Sequence, residues 1–159
     1  MKFQTDQWVV HCTHGLGQVL GIEERAMNGA EISYYVVQTA DLTIWVPVDE
    51  NVDRRLRSPN SPSAFQAALG LLAQPAEALP TDHRLRNQQL QARLKEGTAE
   101  AWFTLLRDLT ADRHRRNWSD NDRNLLAAVR KALLGEWSFS LSITHEQAEQ
   151  DLRRAMPVL

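Results

Sequence analysis

The chain has a single cysteine, Cys12, among its 159 residues, so no internal disulfide can form. That fits a reducing compartment. Cys12 falls at a strand-to-turn corner and reads as a structural residue, not a nucleophile. No apolar run approaches the roughly 20 residues of a membrane span. The N-terminal Met-Lys-Phe-Gln-Thr-Asp-Gln lacks an apolar signal core, so the expected location is the cytoplasm. There is no low-complexity tract and no internal repeat, which excludes solenoids and other repeat arrays. Neither sign of charge dominates, the formal balance being −2. What is present is 43% hydrophobic residue, enough to build a core and too much for a disordered chain. The length allows one ordinary domain or two small ones.

The small net charge hides a split. Residues 1–60 carry five Lys/Arg against eight Asp/Glu, a balance of −3, whereas residues 81–135 carry eleven against seven, a balance of +4. An acidic half beside a basic half suggests two different partners. The split coincides with a change of apolar period near Pro62, from two to about 3.6. Before it lie short strands: Trp8 to His11; Gly15 to Ile22, where Gly17 and Gly21 flank Val19 and suggest a curved strand; 33–38; and Leu42 to Val48. In the last, Leu42, Ile44, Val46 and Val48 share one face while Thr43 and Trp45 share the other. Asn28-Gly29 is a hairpin signal, since both residues tolerate positive φ. Four or five strands in fifty residues fit a small barrel.

After the connector Arg54–Ser63 the chain reads as helix. Ser63 is placed to cap a helix over about 64–73, followed by breaks at Gln74-Pro75 and Leu79-Pro80. A second helix is expected over 82–96, ending at Gly97. A third is expected over 99–114, a fourth from the cap Ser119 with Trp118 as its staple, and a fifth over 145–155. The fold class is therefore α+β, a small barrel over 1–55 followed by an all-helical domain of about five helices over 63–159.

The chain offers little chemistry. His11 and His14 lie three apart without the third or fourth ligand that zinc requires. Gly15-Leu16-Gly17 lacks the helix and lysine of a phosphate loop. Arg107-Asp108 reads as a helix-surface charge pair, and no Ser/His/Asp or Cys/His arrangement stands out. The residues argue against an enzyme and call for no cofactor or metal. Recognition remains. Trp45, opposite the apolar stripe of its strand, is a candidate anchor unless another segment covers it. Arg25, beside the hairpin turn, is placed to meet an acidic partner. Arg113-His114-Arg115-Arg116 has two readings, a helix C-terminus favoured by its dipole or a phosphate contact.

The order of the pieces resembles the CarD/CdnL family of bacterial transcription regulators. The resemblance runs through Phe3, Trp8-Val9-Val10-His11, His14-Gly15-Leu16-Gly17-Gln18-Val19, Tyr35-Val36-Val37 and Leu42-Thr43-Ile44 with Val46-Pro47-Val48. It resumes at Leu94 with Gly97, Leu106-Arg107-Asp108-Leu109, Ser119 with Leu125-Leu126, and Ala132-Leu133-Leu134-Gly135-Glu136. It implies a Tudor-like barrel that binds the RNA polymerase β subunit, here through Arg25 and Trp45. It also implies a helical domain that contacts promoter DNA near the upstream edge of the transcription bubble and modulates open-complex stability. The family's wedge tryptophan falls at His83 in this chain. With Arg84, Arg86, Arg113, Arg115 and Arg116, His83 makes up the expected DNA-binding set, with binding weak and largely non-specific. Three further departures are Trp45 in place of a basic residue, Asp6-Gln7 in place of Gly-Asp, and Cys12 in place of a proline. The alternative is an interaction module that binds polymerase or another protein without inserting into DNA.

Overall fold

The computed structural model describes residues 2–156; residue 1 and residues 157–159 of the two expected domains lie outside the described residues. The class is α+β, and the chain divides between Pro59 and Asn60 into two compact units.

The first unit is a five-stranded antiparallel sheet: β1 Trp8–His11, β2 Gly15–Met27, β3 Ala30–Thr39, β4 Thr43–Pro47 and β5 Leu56–Arg57, in the order β4-β3-β2-β1-β5. β2 and β3 meet at the expected turn, with Asn28 at φ 53° and Gly29 at φ 81°, the backbone that Asn-Gly adopts at low cost. The β2–β3 register shifts between Val19 and Gly21, and this bulge bends the long strand. Gly17 lies where strands approach: a Cβ there would stand 2.7 Å from Val37 Cγ1 and 2.9 Å from the Gln38 carbonyl oxygen. The β1–β2 turn is closed by His11, whose Nδ1 accepts the backbone N–H of Thr13 at 3.0 Å and of His14 at 3.1 Å. The two imidazoles stack at 5.0 Å.

Alternation then sorts the faces. Val9, Val19, Tyr35, Val37 and Val46 point inward with Phe3, Val52 and Leu56, each contributing about 1.5–3 kcal/mol of burial. Ile44 and Val48 pack against them. Leu42, expected on that stripe, is exposed because it belongs to the turn before β4. The connector differs from expectation too. Val52–Arg55 forms a one-turn helix, α1, and β5 pairs with β1 (His11↔Leu56, Val10↔Arg57). The sheet thus continues past residue 55, because Leu56 is core, and a two-residue strand has no period by which to be recognised.

The second unit holds α2 Pro62–Leu69, a 3₁₀ turn Gly70–Ala73, α3 His83–Glu96, α4 Ala99–Asp112, α5 Asp120–Leu141 and α6 His145–Ala155. Side-chain caps set the starts. Ser61, not Ser63, caps α2, accepting from the Ala64 amide with Pro62 in the first turn. Asp82, Thr98 and Thr144 cap α3, α4 and α6. Ser119 and Asp122 form a reciprocal capping box on α5. Gly97, at φ 69°, ends α3. α4 is central, burying Trp102, Phe103, Leu105, Leu106 and Leu109. Phe65, Phe103 and Trp137 form an aromatic cluster with centroids 5.6–6.3 Å apart.

Buried polar networks tie these helices. Asp108, 1% exposed, accepts from Arg93 Nη1 at 2.7 Å, Arg107 Nε at 2.8 Å and the Glu77 amide at 3.0 Å. This corrects the surface reading of Arg107-Asp108: the pair lies on the packed side of α4. Glu136 accepts the Asn60 amide and side chain at 2.7 and 2.6 Å, and Asn60 in turn donates to the Gly97 carbonyl. Among the described residues no helix is long and apolar enough to cross a membrane.

Candidate functional sites

On the sheet, register decides what shares the outer face. Gly21, Val36 and Trp45 form one row; Glu23, Tyr34 and Pro47 the next; Arg25 and Ile32 the third. This face is opposite that of Tyr35, Val37 and Val46. Trp45 is 40% exposed. Its indole N–H donates to Glu23 Oε2 at 2.9 Å, and Arg25 Nε donates to Glu23 Oε1 at 3.0 Å. The Arg25 guanidinium lies over the indole ring, 4.7 Å from its centroid. The indole hydrogen bond first, and Arg25 second, hold the Glu23 carboxyl below its usual range. Two of the expected residues, Arg25 and Trp45, are thus brought together by a third, Glu23, which the sequence reading missed. Contacts of this kind within the unbound protein lower the entropy cost of docking. The trio presents an indole with a guanidinium over its ring, the charge of the cation partly compensated by Glu23.

In the helical unit His83 is the first residue of α3 and is exposed. Its Nδ1 lies 3.2 Å from Arg116 Nη2. Arg116 belongs to the loop between α4 and α5, where Arg113 places its guanidinium 5.5 Å from the Trp118 ring centroid. Arg123, on the first turn of α5, donates to the Trp118 carbonyl at 3.2 Å. Arg113, Arg116, Asn117, Trp118 and Arg123 line a cavity of about 400 Å³. His83, Arg113 and Arg116 of the expected set therefore gather at one place, while Arg84 and Arg115 are exposed.

Arg86 is a correction. It is 2% exposed and clamped between two carboxylates: Nη1 donates to Asp122 Oδ1 at 2.6 Å, and Nη2 and Nε donate to Asp112 Oδ2 at 2.7 and 3.2 Å. A guanidinium so enclosed cannot reach a phosphate while the unit stays folded. Burial pushes Asp122 up, but hydrogen bonds from Arg86 and Ser119 outweigh it and the carboxyl sits below its usual range. Trp118, read as a staple, packs partly against the helical core and also lines the cavity. The signal that could have found it is the interleaving of Arg113, Arg116 and Arg123 around one indole.

Comparison with known families accounts for both units. Residues 3–58 match the CarD-like/TRCF RID domain, and residues 67–153 match the CarD C-terminal domain. The first match covers the whole sheet with its Trp45 trio, and marks the sheet as Tudor-like. The second spans α3 to α5 with the His83–Trp118 region, so both surfaces lie on matched sequence. The chain belongs to the CarD/CdnL family of RNA polymerase-interacting transcription factors, proteins that act by binding and not by catalysis.

Proposed function

We propose that the protein docks on the RNA polymerase β subunit through the outer face of its sheet and contacts promoter DNA through its helical unit, modulating open-complex stability. The observation that carries this reading is the Arg25–Glu23–Trp45 trio, exposed and linked by hydrogen bonds on the unit that matches a polymerase-interacting domain. Trp45 is the anchor and Arg25 orients it. On the helical unit, His83 sits where the family's wedge tryptophan is expected. Arg84, Arg113 and Arg115, which are exposed, and the half-buried Arg116 supply positive charge that contacts phosphates without reading bases.

The test couples two readouts on the full-length protein. Trp45→Ala is expected to weaken β-subunit binding by on the order of 2 kcal/mol, as loss of a central aromatic anchor does; unchanged binding in a folded variant removes Trp45 from the interface. Promoter-complex lifetime is then compared for wild type, His83→Ala and His83→Trp. An imidazole offers less stacking area than an indole, so the tryptophan variant is expected to lengthen the lifetime. Equal lifetimes would favour the second reading, a polymerase-binding module that does not insert into DNA. The hydrogen-bond contact of the His83 ring with Arg116 supports that reading, since a ring so engaged is less free to wedge.

A further inference from the structure

We propose that the cavity between α4 and α5 binds an unpaired nucleotide of a DNA strand, its base stacked on the Arg113–Trp118 pair and its phosphate held by Arg116 and Arg123. The inference rests on the DNA contact proposed above and adds the element that contact lacks, an aromatic surface for an opened base. The volume, about 400 Å³, lies in the range of small-ligand sites. Its lining is three arginines, one asparagine and one indole, a combination suited to a base and its phosphate and poorly suited to an apolar ligand. Trp118 is half-buried against the helical core, and the Arg113 guanidinium lies over its ring, 5.5 Å from the centroid; the outer plane of this pair is the stacking surface for a nucleobase. Asn117 supplies hydrogen-bonding capacity at the rim. Of the acids beside the cavity, Asp112 and Asp122 are buried and engaged by Arg86, while Asp120, fully exposed, lies 3.6 Å from Arg123 and offsets part of the charge. Arg116 also reaches His83 at 3.2 Å, so one side chain of the cavity wall touches the residue expected at the wedge position. Stacking needs a free base face, which a duplex does not offer along its length, so the site discriminates single strand from duplex.

The experiment measures fluorescence anisotropy of a labelled oligodeoxythymidylate of about ten nucleotides, a length within the usual single-strand site size. A duplex of equal length is measured in parallel, with the full-length protein. Trp118→Leu is expected to weaken single-strand binding about tenfold, the typical value of one base–aromatic stack, and duplex binding less than twofold. Trp118→Tyr should restore most of the loss. Arg113→Gln, at an exposed position, should also weaken the single strand more than the duplex, and it guards against a folding defect in Trp118→Leu. Wild-type affinity in both variants, or equal losses on single strand and duplex, overturns the proposal. Competition by thymidine monophosphate as effective as by the oligonucleotide overturns the strand assignment in favour of a free nucleotide. A change of promoter-complex lifetime in His83→Trp with none of these Trp118 effects leaves the DNA contact standing and removes the cavity from it. If the wild-type protein binds no DNA at all, the cavity proposal and the DNA contact it rests on fall together, and the polymerase-binding module is left.

Discussion

Replacing Arg86 with methionine is expected to destabilise the helical unit severely and to leave its DNA affinity, at temperatures where it stays folded, almost unchanged. Three polar contacts at 2.6–3.2 Å are lost at once, and Asp112 and Asp122, 6% and 1% exposed, remain without their cation. Methionine fills much of the space of the arginine stem, so the loss is chiefly electrostatic and not a cavity. Removing one partner of a buried ion pair costs about 3–5 kcal/mol. For a unit of this size each kcal/mol lowers the melting temperature by roughly 4–8 °C, giving a fall of about 12–40 °C. The assay is thermal unfolding followed by the helical circular-dichroism signal, which the sheet contributes little to.

The pH dependence separates this mechanism from simple loss of packing. In the wild type the folded Asp122 carboxyl lies below its ordinary value. Its contribution is therefore present above about pH 3.9 and is lost as pH falls through the lowered folded value. In Arg86→Met burial remains and the cation is gone, so the folded Asp122 carboxyl is pushed upward. Its contribution to folding then falls as pH rises toward neutrality. The gap between the two proteins should be widest near neutrality and narrow toward pH 4. Adding Asp112→Asn and Asp122→Asn to the variant should recover part of the stability at pH 7. A variant that melts within a few degrees of wild type, but whose duplex affinity loses about one unit of salt slope, would show that Arg86 faces phosphate after all. A wide gap that stays constant with pH would point to packing.

Gly17→Ala should destabilise the sheet unit by about 1–3 kcal/mol, because the new Cβ meets the Gln38 backbone as well as Val37; amide exchange of β2 and β3 is the measurement, and unchanged protection would mean the strands separate freely there. His11 lies below its usual value through burial first, then the charges of His14 and Arg55. A depressed histidine favours folding above its unfolded value and less as pH falls, so sheet stability should decline below about pH 6.5. Protonation of Nδ1 would also break two turn hydrogen bonds; a flat stability profile from pH 7 to 5 would contradict this. Duplex binding should be insensitive to sequence, with three to five exposed arginines giving a log–log salt slope of roughly −3 to −4.5; titration at several salt concentrations decides, and a tight, sequence-selective complex at high salt would refute it.

Much of the fold was legible because its signals are local. Asn28-Gly29 specifies its turn by backbone sterics alone, and Thr98, Ser119 and Thr144 mark helix starts that their own side chains then cap. Ser63 is the expected cap of the first helix, and the cap is instead Ser61, the residue with proline next in sequence, since proline is preorganised for a first turn and has no N–H to lose. The strand β5 was illegible for the opposite reason. Two residues carry no period, and Leu56 belongs to the sheet only because β1 lies beside it.

The sites were legible by residue type but not by engagement. Arginine on a helix reads the same whether it faces water or a carboxylate, since its partners lie far along the chain: Asp112 and Asp122 are 26 and 36 residues from Arg86. The surplus of positive charge over residues 81–135 is thus a poor guide to where phosphate can bind. Arg86, Arg93 and Arg107 are matched by Asp108, Asp112 and Asp122 inside the unit. Setting these three arginines and three aspartates aside leaves the surplus unchanged in size and moves it outward, most densely to the loop of Arg113, Arg115 and Arg116 and the first turn of α5. The same buried pairs hold α3 against the end of α4 and the start of α5, and so fix where that loop leaves and returns. Two arginine populations follow from one sequence, one that positions the loop and one that the loop displays. A neutral substitution in the first should alter stability before affinity, and in the second affinity before stability.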